Sequence, residues 1–241
     1  TIDGGTGGSD TIDYSASNAG VTVNLKTGTG AGGYAQNVTF THIDNVVGSS
    51  FSDTFIAGSS ANFFDGGTSS SSTVSNTVSY ASSGAGVTVN LLTGQGSGGD
   101  ATGDRYVNIQ NVIGSAYDDL FVGNLDKNHF EGGDGNNTVS YAGSSQGVTV
   151  DFYQGKGFGG YAEGDTYRDI QNAIGSAYDD TFVADPASKH FDGGSGGFDT
   201  VSYDRFLSAV TIDAQHNVGG AVTQVNGNGD PTAYSHSYTN I

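Results

Sequence analysis

Apolar and polar residues alternate along this chain in short runs, each closed by glycine. In Thr138-Val139-Ser140-Tyr141 the alternation puts Val139 and Tyr141 on one face. After a small-residue turn, Gly147-Val148-Thr149-Val150-Asp151-Phe152 does the same for Val148, Val150 and Phe152. Gly20 to Leu25 and Gly86 to Leu91 match it. A glycine-rich excursion follows at Gly155 to Gly164, then a strand through Tyr167 and Ile170. A turn at Gly175-Ser176-Ala177-Tyr178-Asp179-Asp180 leads into Phe182-Val183, and a last short strand carries Phe191 before Gly193-Gly194. No stretch shows helical spacing, so the pattern predicts many short strands and no helical layer.

The pattern recurs. The segment from Gly98 to Tyr141 returns at Gly159 to Tyr203 and, in altered form, at Gly32 to Tyr80. The Gly-Gly pairs begin at Gly4, Gly66, Gly132 and Gly193, a nearly even spacing, and the serine-rich stretch Ser69 to Ser75 accounts for the longest step. The repeats run 3–64, 65–130, 131–191 and 192–241, the last incomplete and divergent around Gly219-Gly220 and Asn226 to Asp230. Repetition at this period is explained by a solenoid, in which equivalent residues stack, and left unexplained by an antiparallel sandwich. The expected fold is therefore all-β: a right-handed parallel β-roll or β-solenoid of ~62-residue repeats. It is expected to form one elongated domain over residues 1–241, with about three coils per repeat.

Composition agrees. Of 241 residues 41 are Gly and two are Pro, with no Cys, Met or Trp and only six Leu. Val, Ile, Phe and Tyr fill the apolar positions and suit a pleated surface. A disordered chain can also be acidic and rich in Gly and Ser, but the 13 Tyr and 13 Phe recur at regular positions. No apolar run is long enough to span a membrane. The formal charge of −18, from 25 acidic and seven basic residues, opposes nucleic-acid binding. It also makes the compact state self-repelling unless cations are taken up.

The recurring chemical element is Gly-Gly-x-Gly-x-Asp-x-U, U being a large apolar residue. With one extra residue it is complete at Gly4-Gly5-Thr6-Gly7-Gly8-Ser9-Asp10-Thr11-Ile12 and at Gly193-Gly194-Ser195-Gly196-Gly197-Phe198-Asp199-Thr200-Val201. Glycine admits positive φ, which lets carbonyls converge on the turn, and Asp adds a carboxylate. Such oxygen ligands suit a hard cation, calcium better than magnesium.

On these residues the chain resembles the RTX family, the hemolysin-type calcium-binding repeats of bacterial proteins exported by type I secretion. The resemblance implies a parallel β-roll whose glycine turns bind several calcium ions, and an extracellular or cell-surface location. It carries ligand positions onto Asp10, Asp53, Asp119, Asp180 and Asp199, with Gly4, Gly5, Gly7, Gly193, Gly194 and Gly196 in the two complete turns. Asp104 and Asp165 match the Asp-x-U end of the pattern. The turns before Asp53, Asp119 and Asp180 carry a single glycine. Asn76, Asn137, Asn62 and Asn128 replace the aspartate elsewhere, as do Lys189 and Val38. Those turns are expected to be metal-free or weak binders, closed by side-chain amides.

Other signals point nowhere catalytic. Gly143-Ser144-Ser145-Gln146-Gly147 has a nucleophile-elbow spelling, but a strand rather than a helix follows it. Three Gly-x-Gly-x-x-Gly matches, starting at Gly28, Gly94 and Gly155, open no helix. His42, His129, His190, His216 and His236 lack a zinc spacing, and the acid pairs Asp118-Asp119 and Asp179-Asp180 recur as structure does. The expected function is non-enzymatic: a calcium-binding structural or adhesive repeat region cut from a larger secreted protein. The alternatives are a self-assembling subunit of a surface layer or filament, and a non-catalytic module of a secreted epimerase, protease or lipase. Expected partners are calcium, and a cell-surface polysaccharide or like subunits joined through the solenoid ends. The loops Gly28 to Tyr34, Gly94 to Asp104 and Gly155 to Gly164 are expected to project on one face for partner contact.

Overall fold

The computed structural model describes residues 1–69, 71–187, 189–206, 221–225 and 231–241, without side chains for 221–225 and 231–235. His216 and the divergent stretch around Gly219-Gly220 and Asn226 to Asp230 lie outside the described residues. The fold is all-β, a parallel β-solenoid of strands mostly three residues long, with three short 3-10 turns and no α-helix among the described residues. The chain falls into two compact units, Thr1–Phe121 with Glu131–Gly135, and Val122–Phe130 with Asn136–Ile241.

In the first unit, successive strands cross between two sheets. One sheet runs Thr11–Asp13, Asn45–Val47, Phe63–Asp65, Arg105–Val107, Gln95–Ser97, Thr88–Asn90. The other runs Asn111–Ile113, Thr77–Ser79, Thr54–Ile56, Thr22–Asn24, Thr29–Ala31. Neighbours are parallel except at the hairpins. The second unit has the same construction. One of its sheets runs Thr138–Ser140, Asn172–Ile174, His190–Asp192, Ser237–Thr239, and the other Thr200–Ser202, Thr181–Val183, Thr149–Asp151, Lys156–Phe158, Thr166–Arg168. Ala221–Val225 and Pro231–Ser235 form a separate antiparallel pair.

The register exposes a period much shorter than the sequence repeat. An unadorned coil brings Asn45 beside Phe63 and Asn172 beside His190. Where a coil carries a hairpin the step lengthens, as from Thr22 to Thr54 and from Thr149 to Thr181. Thr138–Ser140 and its repeat equivalent Thr200–Ser202 fall in opposite sheets, as do Thr11–Asp13 and Thr77–Ser79. Among the described residues the first and third repeats each make five crossings, two and a half coils rather than the three expected, so the strand that opens the next repeat lies half a coil further round, in the opposite sheet.

The expected single projecting face follows a different course for the same reason. In the first unit, the hairpin Thr22–Asn24/Thr29–Ala31 belongs to one sheet and Thr88–Asn90/Gln95–Ser97 to the other. Each excursion is folded back as a hairpin with a 3-10 turn, Gly33–Ala35 or Gly99–Ala101. Lys26 of the first excursion reaches Asp100 of the second at 3.0 Å.

The middle residue of nearly every strand is buried: Val23, Val46, Phe55, Phe64 and Val78 in the first unit, Val139, Val150, Phe182 and Phe191 in the second. Three-residue strands suffice because the parallel ladder stacks like residues into columns. Across the core, Phe55 stacks on Phe64 with centroids 5.6 Å apart, and Phe182 on Phe191 at 5.4 Å.

Candidate metal turns and buried acid clusters

The seven sequence-predicted aspartates separate into three environments. Asp53, Asp119 and Asp180 form the first, and all are buried. Each closes its own Gly-Ser turn. The Ser49 N–H donates to Asp53 Oδ2 at 2.6 Å, and the Ser49 hydroxyl to Oδ1 at 2.9 Å. The Val21 N–H of the neighbouring coil also donates to Oδ1, at 2.7 Å. Ser115 and Val87 repeat this at Asp119, and Ser176 and Val148 at Asp180. Burial pushes the Asp53 and Asp119 carboxyls up, against the pull of these donors. Protein N–H and O–H groups take up the lone pairs a cation would need. These residues are fitted as turn caps that tie one coil to the next.

Asp104 and Asp165 form the second environment, each directly after a positive-φ glycine, Gly103 or Gly164, and buried. The Tyr80 hydroxyl donates to Asp104 Oδ2 at 2.5 Å and meets the Tyr106 hydroxyl at 2.6 Å. The Asn62 N–H donates to Oδ1 at 2.7 Å. Tyr141, Asp165, Tyr167 and Asn128 repeat the arrangement at 2.5, 2.7 and 2.7 Å. Burial raises the Asp104 carboxyl to about 6 and the Asp165 carboxyl to about 7, although the Tyr and Asn donors pull them down. Tyr80 and Tyr141 stand the same number of positions before their aspartates, and that recurrence was the sequence signal for these clusters. In the first repeat Val38 and Phe40 stand in place of the Asp and Tyr, and the equivalent Tyr14 hydroxyl is buried without a partner among the described residues.

Asp10 and Asp199 form the third environment, partly exposed at the complete glycine turns. Their geometry is clearest against Asn76 and Asn137, which occupy the equivalent position. Asn76 Oδ1 accepts the Asp53 N–H at 2.9 Å, and its amide donates across the turn to the Asn108 carbonyl at 2.9 Å. The Asn137 amide donates to the Asp169 carbonyl at 3.1 Å. Asp199 keeps the first bond, accepting the Asp180 N–H on Oδ1 at 2.9 Å. Where asparagine would have its NH₂, Asp199 has a second oxygen. A Cβ on Gly193 would collide with both Asp199 Oδ2 and the Asn240 carbonyl oxygen, so those two acceptors face each other over the glycine. Gly4 lies against the His42 carbonyl and the Cβ and Cγ of Asp10. Burial, with Asp180, Asp179 and Asp192 nearby, raises the Asp199 carboxyl.

Acceptors facing each other across a turn need a bridging proton or cation, and carboxylate with carbonyl is a hard-oxygen pair that fits calcium. No group of three or more His, Cys, Asp or Glu side chains converges among the described residues, so carbonyls would have to complete any coordination shell. An open concavity of about 440 Å³ adjoins the second turn, lined by Gly194 to Asp199, Asn240 and Ile241. One of about 550 Å³ adjoins the first, lined in part by Gly5, Gly7, Asp10 and Asp44.

The glycines serve stacking as much as turning. Gly5 and Gly194 have φ of 99° and 97°, whereas Gly4, Gly7, Gly193 and Gly196 are not in the positive-φ region. Any Cβ on Gly194 would strike the Ser176 carbonyl of the coil beneath. Gly67 meets Ser49, and Gly133 meets Ser115, in the same way.

Ser145 sits exposed in its turn, and the neighbouring Ser144 hydroxyl is engaged with the Gln146 carbonyl at 2.7 Å. His129 and His190 each bond a hydroxyl on the adjacent strand, Thr166 and Ser237. Among the described residues no helix is long and apolar enough to cross a membrane. No protein-family model matches the chain, and no curated protein matches it.

Proposed function

We propose that this chain is a calcium-stabilised structural or adhesive repeat region of a secreted bacterial protein, akin to the RTX repeats it resembles. The observation that carries the reading is the acceptor pair of Asp199 Oδ2 and the Asn240 carbonyl at the second complete glycine turn. Asp199 puts a carboxylate oxygen where Asn76 and Asn137 put an amide donor, and Asp10 occupies the same position in the first complete turn, so the acidic turns need from a cation what the amide turns make for themselves. Asp10 and Asp199 would hold calcium together with backbone carbonyls. Bound calcium would supply charge neutralisation and coil-to-coil bridging. The net charge of −18 adds a general demand for cations. Asp53, Asp119 and Asp180 act as protein-satisfied caps in this reading, and Asp104 and Asp165 as members of buried clusters. The role is non-enzymatic, the location extracellular or at the cell surface, and the partner a surface polysaccharide or a like subunit.

Thermal melting in millimolar calcium and in excess chelator tests the reading. Each occupied site adds about 1.4 kcal/mol when free calcium is about tenfold above its dissociation constant. The melting temperature should rise with calcium and not with equal ionic strength of sodium. Identical melting in calcium and chelator would remove the proposal.

A further inference from the structure

The Tyr–Asp–Tyr clusters have a variant in the fourth repeat. Tyr203 aligns with Tyr80 and Tyr141, and Tyr238 with Tyr106 and Tyr167, but His236 stands where Asp104 and Asp165 stand. The neighbour changes with it: Asn62 and Asn128 give way to Lys189. Two acid–amide pairs thus become one pair of bases.

His236 is buried. Its Nε2 donates to the Ala187 carbonyl at 2.7 Å, which leaves Nδ1 as the acceptor facing the Tyr203 hydroxyl at 3.2 Å. The Tyr203 hydroxyl in turn contacts that of Tyr238. Rings of Phe191, Tyr203 and Phe206 surround the imidazole, with centroids 5.7, 5.5 and 6.4 Å away. Among the described residues, the charged groups facing it are Lys189, which repels a second cation, and Asp185, which favours one. Asp185 is already engaged by Lys189 Nζ at 3.3 Å. Lys189 is itself buried, donating to the Ile170 carbonyl at 2.7 Å and lying 4.5 Å above the Phe152 ring. On the outer side of the same strand, His190 bonds Ser237, and Asp192 bonds Asn240. A proton on Nδ1 would reverse the Tyr203 bond and place an imidazolium beside a buried ammonium in an aromatic shell.

We infer that the Tyr203–His236–Tyr238 cluster is an acid-operated latch: protonation of His236 detaches strand Ser237–Thr239 from His190–Asp192, while the Tyr–Asp–Tyr clusters of the preceding repeats keep their strands. Burial and Lys189 hold the His236 imidazole below its ordinary value. A group so depressed contributes stability that is present above the unfolded value, near 6.5, and is lost as pH falls below it. Asp104 and Asp165 respond with the opposite sign, since a proton relieves a buried carboxylate. Mild acid therefore loosens one strand and tightens Arg105–Val107 and Thr166–Arg168. Loosening frees an edge of His190–Asp192 for another strand.

Hydrogen exchange on the full chain at pH 7.5 and 5.5, at fixed saturating calcium and corrected for intrinsic rates, reads the latch directly. Protection of Ser237–Thr239 should fall about tenfold at the lower pH, while Arg105–Val107 and Thr166–Arg168 hold or gain protection. Lys189→Asn combined with His236→Asp rebuilds the interior cluster and should abolish the loss. His236→Gln, which removes the titrating ring while keeping a polar side chain, should do the same and covers a double variant that fails to fold. Unchanged protection of Ser237–Thr239 in the wild type would overturn the latch. So would an acid-induced loss that persists in the folded variants, which retain His190.

Discussion

Phe182→Ala should lower the free energy of unfolding by about 3–5 kcal/mol, the range for deleting a fully buried aromatic ring. Phe182 is the middle residue of Thr181–Val183, which pairs on both sides, with Thr149–Asp151 and Thr200–Ser202. Its ring is fully buried and stacks on Phe191, which in turn stacks on Phe152 and Tyr238. In a ladder one coil thick, the column cannot close over the gap without shifting strands whose positions are fixed on both edges. Urea denaturation followed by circular dichroism should show an earlier midpoint for the variant. A loss below about 1 kcal/mol would mean that the aromatic column is slack, contrary to the tight packing expected of protein interiors.

Stability should also fall as pH rises from 5 to 8, the reverse of the usual behaviour of an ion-paired acidic protein. Folding raises the Asp104 and Asp165 carboxyls to about 6 and about 7, chiefly by burial, whereas an unfolded aspartate titrates near 4. The stability these groups contribute is fully present below about pH 4. It is lost as pH rises through their folded values, where the fold must hold two buried anions. One pKa unit corresponds to about 1.4 kcal/mol, so the pair moves stability by several kcal/mol over this window. Asp53 and Asp119 are raised as well and act in the same direction. His236 opposes them locally. Denaturation midpoints measured at saturating calcium from pH 5 to 8 should decline. Asp104→Asn with Asp165→Asn, which keeps an acceptor for the Tyr hydroxyls but cannot ionise, should flatten the decline. Midpoints that climb with pH, or a double variant that follows the wild type, would contradict this account of the clusters.

The fold was legible because its determinants are local. Alternation in segments such as Val148 to Phe152, punctuated by glycine at a steady period, implies short stacked strands. The buried middle residues Val150, Phe182 and Phe191 are those the alternation selects. The half-coil turn between repeats was not legible. It depends on the number of crossings in each repeat, and the long sequence period conceals the shorter step of the unadorned coil, from Asn45 to Phe63 or from Asn172 to His190.

The candidate site was legible in part. The Asp-x-U register locates the turn carboxylates but cannot separate Asp199, with one acceptor facing a carbonyl, from Asp180, whose oxygens are taken by Ser176 and Val148. The serine just upstream of each buried cap, Ser49 for Asp53, Ser115 for Asp119 and Ser176 for Asp180, was the available clue. Asp104 and Asp165 looked like turn residues because their partners Tyr80 and Tyr141 lie a full excursion away in sequence. The constant spacing of each Tyr before its Asp and the linked exchanges across repeats reveal the connection: Asp and Tyr to Val38 and Phe40 in one case, Asn and Asp to Lys189 and His236 in another.

Calorimetric titration of calcium into the wild type and into Asp10→Asn with Asp199→Asn tests the central claim most directly. Each substitution installs the amide that Asn76 and Asn137 use to bridge their turns to a carbonyl. The account predicts that calcium binding at these turns is lost in the double variant. It also predicts a calcium-free melting temperature equal to or above that of the wild type, because an amide now does without metal what the carboxylate does with it. Calcium binding in the variant with the wild type's stoichiometry and affinity would contradict the account.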